Sequence, residues 1–223
     1  MVDQTSVLNE AAAGLQGLAQ MQSRIILHAG ENSVVDNTQL PHLDSDRKVI
    51  LTNNVYETLK IIIDGTNVRG AEVPFLLFGD YNNSVFVFDS VYADVSDGDN
   101  PDEANFSRDL QQKVFDFGLG AKKQENKVVA HGHSHPQHGK YYLNFSLSDM
   151  RGYFGMRRKT WLQNVMVCGC LLTGGNFNFV FCDGKDVYRI DNVYTQNENG
   201  QIVRLPSFGP DVATLGYGRN MGR

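Results

Sequence analysis

Residues 127–136 read KVVAHGHSHP, and the fold that the sequence predicts is built outward from this stretch. The pattern indicates a strand that ends on Pro136. Because side chains alternate along a strand, the imidazoles of His133 and His135 are expected on one face and Ser134 on the other. Two imidazoles placed in this way can reach a single metal ion at bond lengths of about 2.0–2.1 Å.

The next motif along the chain is SLSD at residues 146–149. Ser146 is predicted to cap a helix whose N3 residue is Asp149. A carboxylate in a first helical turn faces back toward the preceding strand, where the two imidazoles lie. Two histidines and one carboxylate, with a fourth position left for water, are typical of a catalytic zinc site rather than a structural one.

Simpler interpretations of the same residues stay open. Two histidines on one strand can also be exposed to solvent, or buried in a core with their hydrogen bonds made to other protein groups. Asp149 is also explained by its favourable interaction with the helix dipole, and Ser146 by capping alone. His131 and His138 crowd the same segment, so a His-rich loop that adsorbs metal without specificity is a further alternative. His131 is also a candidate for a position beside the site, since it shares the predicted face of His133.

The surrounding pattern predicts an α/β fold in which a central mixed β-sheet is flanked by helices. The predicted helices cover residues 6–22, 54–65 with Gly65 as C-cap, 107–117, and a segment from about 150 onward. The predicted strands cover residues 72–79 and 84–93, joined by a turn at 80–83, then 127–136, 165–173, 177–184 and 186–194. Residues 28–47 and the acidic stretch 94–103 are predicted as loops.

Three motifs together carry a resemblance to a known family. HSHP at 133–136, SLSD at 146–149 and EVPFLLFG at 72–79 resemble the JAMM motif of MPN-type (JAB-like) zinc metallopeptidases, bacterial members included. The resemblance implies an α-β-α sandwich, with layering like that of cytidine deaminases. It also implies hydrolysis of a peptide or isopeptide bond, with ubiquitin-like modifiers among the candidate substrates.

The resemblance further implies a role for each matching residue. His133, His135 and Asp149 are expected to hold Zn²⁺, and Glu72 to act as general base toward a zinc-activated water. Ser146 is expected to donate a hydrogen bond to the oxyanion. Without the resemblance, the position of Glu72 is also explained if it is a surface acid at the start of a strand.

The chain departs from the family pattern at two places. Ten residues, 136–145, separate His135 from Ser146, where the family has seven. Phe75 occupies a position where the family has glycine, so it is expected either to change the local packing or to fill part of the cleft. Neither departure removes a chemical group.

Other function classes fit less well. An MPN-type interaction module without catalytic activity is the main alternative, but such modules usually lose a ligand or the glutamate. A base deaminase needs H-x-E with P-C-x-x-C, and a zinc metalloprotease of the other common type needs H-E-x-x-H. The sequence has neither pattern.

Composition limits the partners and the compartment. The 223 residues carry a formal charge of −5, which disfavours a nucleic-acid partner, and no run is apolar and long enough for a membrane helix. Three cysteines and no visible secretory signal predict a cytoplasmic protein. Cys168, Cys170 and Cys182 are expected in the core. The substrate and the oligomeric state are left open.

The chain is predicted to divide into three parts. An N-terminal helix and linker cover residues 1–47, a JAMM-like catalytic domain covers 48–195, and a C-terminal tail covers 196–223.

Overall fold

A computed structural model of the chain describes residues 26–29, 32–94, 106–121, 124, 126–137 and 143–209. The strands are β1 (Ile26–Ala29), β2 (Asn32–Val35), β3 (Lys48–Leu51), β4 (Val73–Asn82), β5 (Val85–Ala93), β6 (Lys127–Ser134), β7 (Val165–Thr173), β8 (Asn176–Cys182), β9 (Val187–Ile190), β10 (Val193–Gln196) and β11 (Ile202–Arg204). The α-helices in this part of the chain are α1 (Asn53–Arg69), α2 (Arg108–Ala121) and α3 (Leu147–Arg157), with short 3₁₀ turns at Asn37–Gln39 and Thr160–Leu162. None of the described helices has the length and apolarity needed to cross a membrane.

Nine strands form one mixed sheet in the order β11-β10-β3-β5-β4-β6-β7-β8-β9, while β1 and β2 form a separate hairpin. The pairs β10/β3, β3/β5 and β6/β7 are parallel, and the remaining neighbours are antiparallel. The predicted α/β class, with a central mixed sheet flanked by helices, is confirmed.

The sheet curls strongly around one of its faces. Phe88 of β5 stacks on Phe179 of β8 with ring centroids 5.6 Å apart, although three strands separate β5 from β8. In a flat sheet these strands would be about 19 Å apart, at about 4.8 Å for each step. The concave face is filled by α1, whose Val55, Leu59 and Ile62 join the same core.

The other two helices cover the convex face. Tyr153 and Phe154 of α3 pack against Leu171 and Val180 of the sheet, and Leu110 of α2 packs in a neighbouring cluster. Helices therefore lie on both faces of the sheet.

The N-terminal segment differs from its prediction as a loop. Residues 28–47 contain β2, part of β1 and a 3₁₀ turn, and Val35 and Leu40 are buried against α3. The Val35 amide donates to the Phe145 carbonyl at 2.8 Å, and the Asn37 side chain donates to the Leu143 carbonyl at 2.9 Å. The turn-forming composition concealed β1 and β2, which pair with each other, and the contacts of β2 with the distant segment before α3. The predicted helix over 6–22 and nearly all of the acidic loop 94–103 lie outside the described residues.

Further boundaries are also corrected. Helix α1 continues through Gly65 and ends at Gly70, which adopts the left-handed conformation with φ of 68°. The predicted strand over 186–194 is two short strands, β9 and β10. Strand β11 lies in the predicted tail, where it pairs with β10, and Leu205 beyond it is buried.

The three cysteines are confirmed as core residues. Cys168, Cys170 and Cys182 are buried and unpaired. Burial raises the pKa of the Cys168 and Cys170 thiols, and that of Cys182 to about 12. Neutral thiols of this kind behave as small apolar groups.

A glycine allows the backbones of β4 and β5 to approach each other closely. The pairing register shifts between Phe78 and Gly79, and a Cβ added at Gly79 would lie 1.8 Å from the Val87 carbonyl oxygen. No side chain fits there unless the two backbones separate.

We expect Gly79→Ala to lower the free energy of unfolding by about 3 kcal/mol, because the hairpin must open to admit the methyl group. The matched control is Gly65→Ala. An added Cβ there meets nothing within 4 Å, so alanine should stabilise the helix by about 0.5–1 kcal/mol. Urea unfolding of the two variants measures both values, and a Gly79→Ala variant as stable as wild type would contradict the close approach.

Candidate metal centre

The pairing of β4 with β6 brings together residues that are far apart in the chain. Val73 lies opposite Ser134 in this antiparallel pair, and both face the concave side. Glu72 comes just before Val73 and His135 just after Ser134, so continuing the register places Glu72 opposite His135. Since side chains alternate, both point to the convex side. The His135 backbone is held there by its amide, which donates to the Leu172 carbonyl at 2.9 Å.

Three donor groups converge at this point. His133 Nε2 lies 2.9 Å from His135 Nε2, and His135 Nε2 lies 3.1 Å from Glu72 Oε1. The side chains are only 5%, 12% and 13% exposed for His133, His135 and Glu72. Ligand atoms of all three lie within 4.8 Å of one another. Two nitrogens bound to one tetrahedral zinc would be about 3.3 Å apart, so the imidazoles need little movement to share an ion.

Asp149 and Ser146 stand at the edge of this group. The Ser146 amide and hydroxyl donate to Asp149 Oδ2 at 2.7 Å and 2.8 Å, and the Asp149 amide donates to Ser146 Oγ at 3.1 Å. This is the predicted capping box. The other carboxylate oxygen of Asp149, Oδ1, lies 3.7 Å from His133 Nδ1. Asp149 therefore faces the second nitrogen of His133, while Glu72 completes the cluster of three.

The hydroxyl of Ser146 is fully engaged within the capping box. It donates to the Asp149 carboxylate and accepts from the Asp149 amide. The oxyanion role predicted for Ser146 therefore requires its proton to turn away from Asp149.

The charges around Glu72 favour its ionised form. Burial alone would raise the pKa of Glu72, but the hydrogen bond with His135 and the nearby charges of His133 and His135 outweigh that effect. The pKa of Glu72 is consequently lowered, and the carboxylate is charged at neutral pH.

His131 lies on the same strand face but outside the cluster. Its ring stacks on Phe106 with centroids 3.6 Å apart and meets the edge of the Tyr153 ring. Its Nδ1 is buried and has no hydrogen-bond partner among the described residues. Burial, with a smaller contribution from His133, lowers the pKa of His131 to about 3. His131 is thus a neutral residue packed beside the site; His138 lies outside the described residues.

This low pKa gives His131 a defined effect on stability. Unfolded His131 binds a proton below pH 6.5, whereas folded His131 stays neutral down to about pH 3. Stability therefore falls as the pH falls through this range, by about 1.4 kcal/mol per unit. Between pH 7 and pH 5 the free energy of unfolding of the wild type should therefore decrease. We expect this decrease to be smaller by about 2 kcal/mol in His131→Leu. Urea unfolding of the metal-free wild type and variant at several pH values measures this difference. If the free energies of unfolding of the two proteins change equally with pH, the prediction is contradicted.

The two departures from the JAMM motif do not separate the candidate site residues. Phe75 is fully buried on the concave face, where a Cβ added at Gly132 would lie 2.3 Å from its ring. Phe75 therefore changes core packing, and the alternative that it fills the cleft is wrong. Of the longer segment between His135 and Ser146, residues 138–142 are outside the described part, but Asp149 still lies beside His133.

Sequence reasoning missed the residues that support the site from behind. Thr66 of α1 is buried and contacts the hydroxyl of Ser134. Its signal was a polar residue four positions after Ile62 on an otherwise apolar helix stripe. The contacts of Val35 and Asn37 with the segment that precedes α3 had no local signal.

No protein-family model matches the sequence, and no curated protein matches it. Among solved structures, the chain is similar to the solution structure of protein DSY2949 from Desulfitobacterium hafniense. The TM-score is 0.43 and the identity 15%, over 67% of this chain and 94% of that one. A likeness of this size carries no functional inference.

Proposed function

We propose that the protein is a zinc-dependent hydrolase of peptide or isopeptide bonds, of the JAMM type, with His133, His135 and Asp149 holding the metal. The observation that carries the proposal is the convergence of two imidazole nitrogens, 2.9 Å apart, with the ionised carboxylate of Glu72 3.1 Å away. A protein or peptide is the proposed substrate, and ubiquitin-like modifiers are candidates for it.

The donor set suits zinc. Imidazole nitrogen and carboxylate oxygen are its ordinary ligands, whereas calcium and magnesium take oxygen alone. His133 and His135 are the nitrogen donors of the proposed site, and Asp149 Oδ1 lies 3.7 Å from His133 Nδ1. Because the other nitrogen of His133, Nε2, faces His135, Asp149 joins the same ion only when the His133 ring turns.

Each residue of the chain then has a chemical task. A bound zinc would supply a Lewis acid and a water of lowered pKa. Glu72, ionised and close to the histidines, accepts the proton of the attacking water and delivers it to the leaving amine. Ser146, when its hydroxyl turns from Asp149, donates to the carbonyl oxygen as negative charge develops there. Removing a donor of this kind costs about 2.7–4 kcal/mol of transition-state stabilisation.

We expect purified wild-type protein to bind one zinc ion per chain, measured by elemental analysis after zinc supplementation. His133→Ala should lose the metal because it removes a nitrogen donor, and Asp149→Asn should weaken its binding at least about tenfold because it removes the negative charge of the carboxylate. Asp80→Asn is the control: Asp80 pairs with Lys127 at the far end of β4 and β6, so the variant should bind zinc normally. Full metal content in His133→Ala would refute the site.

Glu72→Gln separates the general base from the metal ligands. The amide keeps the size of the side chain but cannot accept the proton, so we expect zinc and fold to be retained and cleavage to fall by about 10²–10⁴-fold. The assay incubates both proteins with ubiquitin-like fusions and generic peptides and detects products by mass spectrometry. Undiminished cleavage would show that Glu72 is not the base, and lost zinc would show that it is a ligand. A wild type inactive on the whole panel would favour the interaction module.

A further inference from the structure

One buried hydroxyl lies directly behind the candidate metal centre. Ser134 is fully buried on the concave face of β6, between the two histidines in sequence. Its Oγ accepts a hydrogen bond from the Val73 amide at 3.2 Å and forms another with Thr66 Oγ1. Thr66 is itself only 1% exposed and belongs to the last turn of α1.

These contacts act on the backbone that carries the site. The Val73 amide belongs to the peptide unit that joins Glu72 to Val73, so the Ser134 hydroxyl holds the peptide next to Glu72. The same residue is flanked by His133 and His135. Any shift of Ser134 therefore moves the glutamate relative to the imidazoles. Thr66 connects this point to α1, which is packed into the core of the sheet.

The surroundings make two hydroxyls at this place unusual. Most buried residues of the concave core, Val73 among them, are apolar, and an aliphatic pair would pack there without needing polar partners. A buried hydroxyl pair is favourable only in one arrangement, in which both groups are bonded. Such a pair specifies geometry more strongly than apolar contacts do.

We propose that Ser134, held by Thr66, is a positioning residue that sets Glu72 against His135 and holds His133 and His135 toward one metal ion. This rests on the proposed metal-dependent function. Ser134, on the concave face of β6, would thus align the side chains of the site on the convex face.

The variants distinguish positioning from ordinary support of the fold. Ser134→Ala and Thr66→Val each remove one hydroxyl. Thr66→Ser is the matched control at the same position, because it removes the methyl group and keeps the hydroxyl. Thr195→Val is the control elsewhere: Thr195 is also buried and bonds the Leu51 carbonyl at 3.4 Å, but lies on β10, four strands from β6 in the sheet.

The first measurement is titration of the metal-free full chain with Co²⁺, followed by competition with Zn²⁺, well below the unfolding temperature of each variant. We expect Ser134→Ala and Thr66→Val to bind both ions about tenfold more weakly and to alter the visible spectrum of bound Co²⁺. Thr66→Ser and Thr195→Val should keep wild-type affinity and spectrum, whatever their thermal stability. Wild-type affinity and spectrum in Ser134→Ala, or equal weakening in Thr195→Val, would overturn the proposal.

The second measurement does not depend on metal. In the metal-free protein, the imidazole NMR signals of His135 report its contact with Glu72. These signals should shift in Ser134→Ala and Thr66→Val but not in Thr66→Ser or Thr195→Val, and unchanged signals in the first two would overturn the proposal. A wild type that binds neither ion would instead refute the metal-dependent function, while the NMR comparison still tests the positioning itself.

Discussion

The antiparallel pairing of β4 with β6 is the constraint on which the candidate site depends. It sets Val73 opposite Ser134 and so brings Glu72 across from His135. A slip of one residue would turn Glu72 into the apolar core, and a slip of two would move it about 7 Å along the strand. Strand β6 is held from its other side by a parallel ladder with β7. The histidine strand is therefore fixed on both edges, as a site with close distance requirements demands.

A second, separate anchor places the carboxylate of Asp149. The capping box fixes one of its oxygens at the start of α3, and Tyr153 and Phe154 of that helix pack on the sheet. The helix start is held in turn by the N-terminal strand β2, whose Val34 bridges to Ser146. Groups more than 70 residues apart in sequence thus meet through a strand ladder on one side and a capped helix on the other.

The sequence predicted what local patterns determine, and missed what distant partners determine. Alternation along residues 127–136 was enough to separate His133 and His135 from Ser134, and S-x-x-D was enough to predict the cap at Ser146. Strand β2 was missed because the turn-forming composition of residues 28–47 predicted a loop, and its bridge to Ser146 joins segments more than 100 residues apart. The end of α1 was predicted too early. Gly65 lies inside the helix and Gly70 caps it, and nothing in the local sequence distinguishes the two glycines. The contact of Asp149 with the second nitrogen of His133 depends on how α3 docks, which no motif encodes.

The two faces of strand β6 carry different kinds of residue. On the convex face, His131, His133 and His135 form a row in which the first is neutral and packed and the others meet Glu72. On the concave face, the alternate residues are small, so that Phe75 packs directly over Gly132 and α1 reaches Ser134 through Thr66. A bulky residue at position 75 is therefore compatible with the proposed chemistry, because the sheet lies between it and the imidazoles. The close-packed concave face supports the convex face, where the candidate site residues lie, and none of its described side chains occupies space on that side.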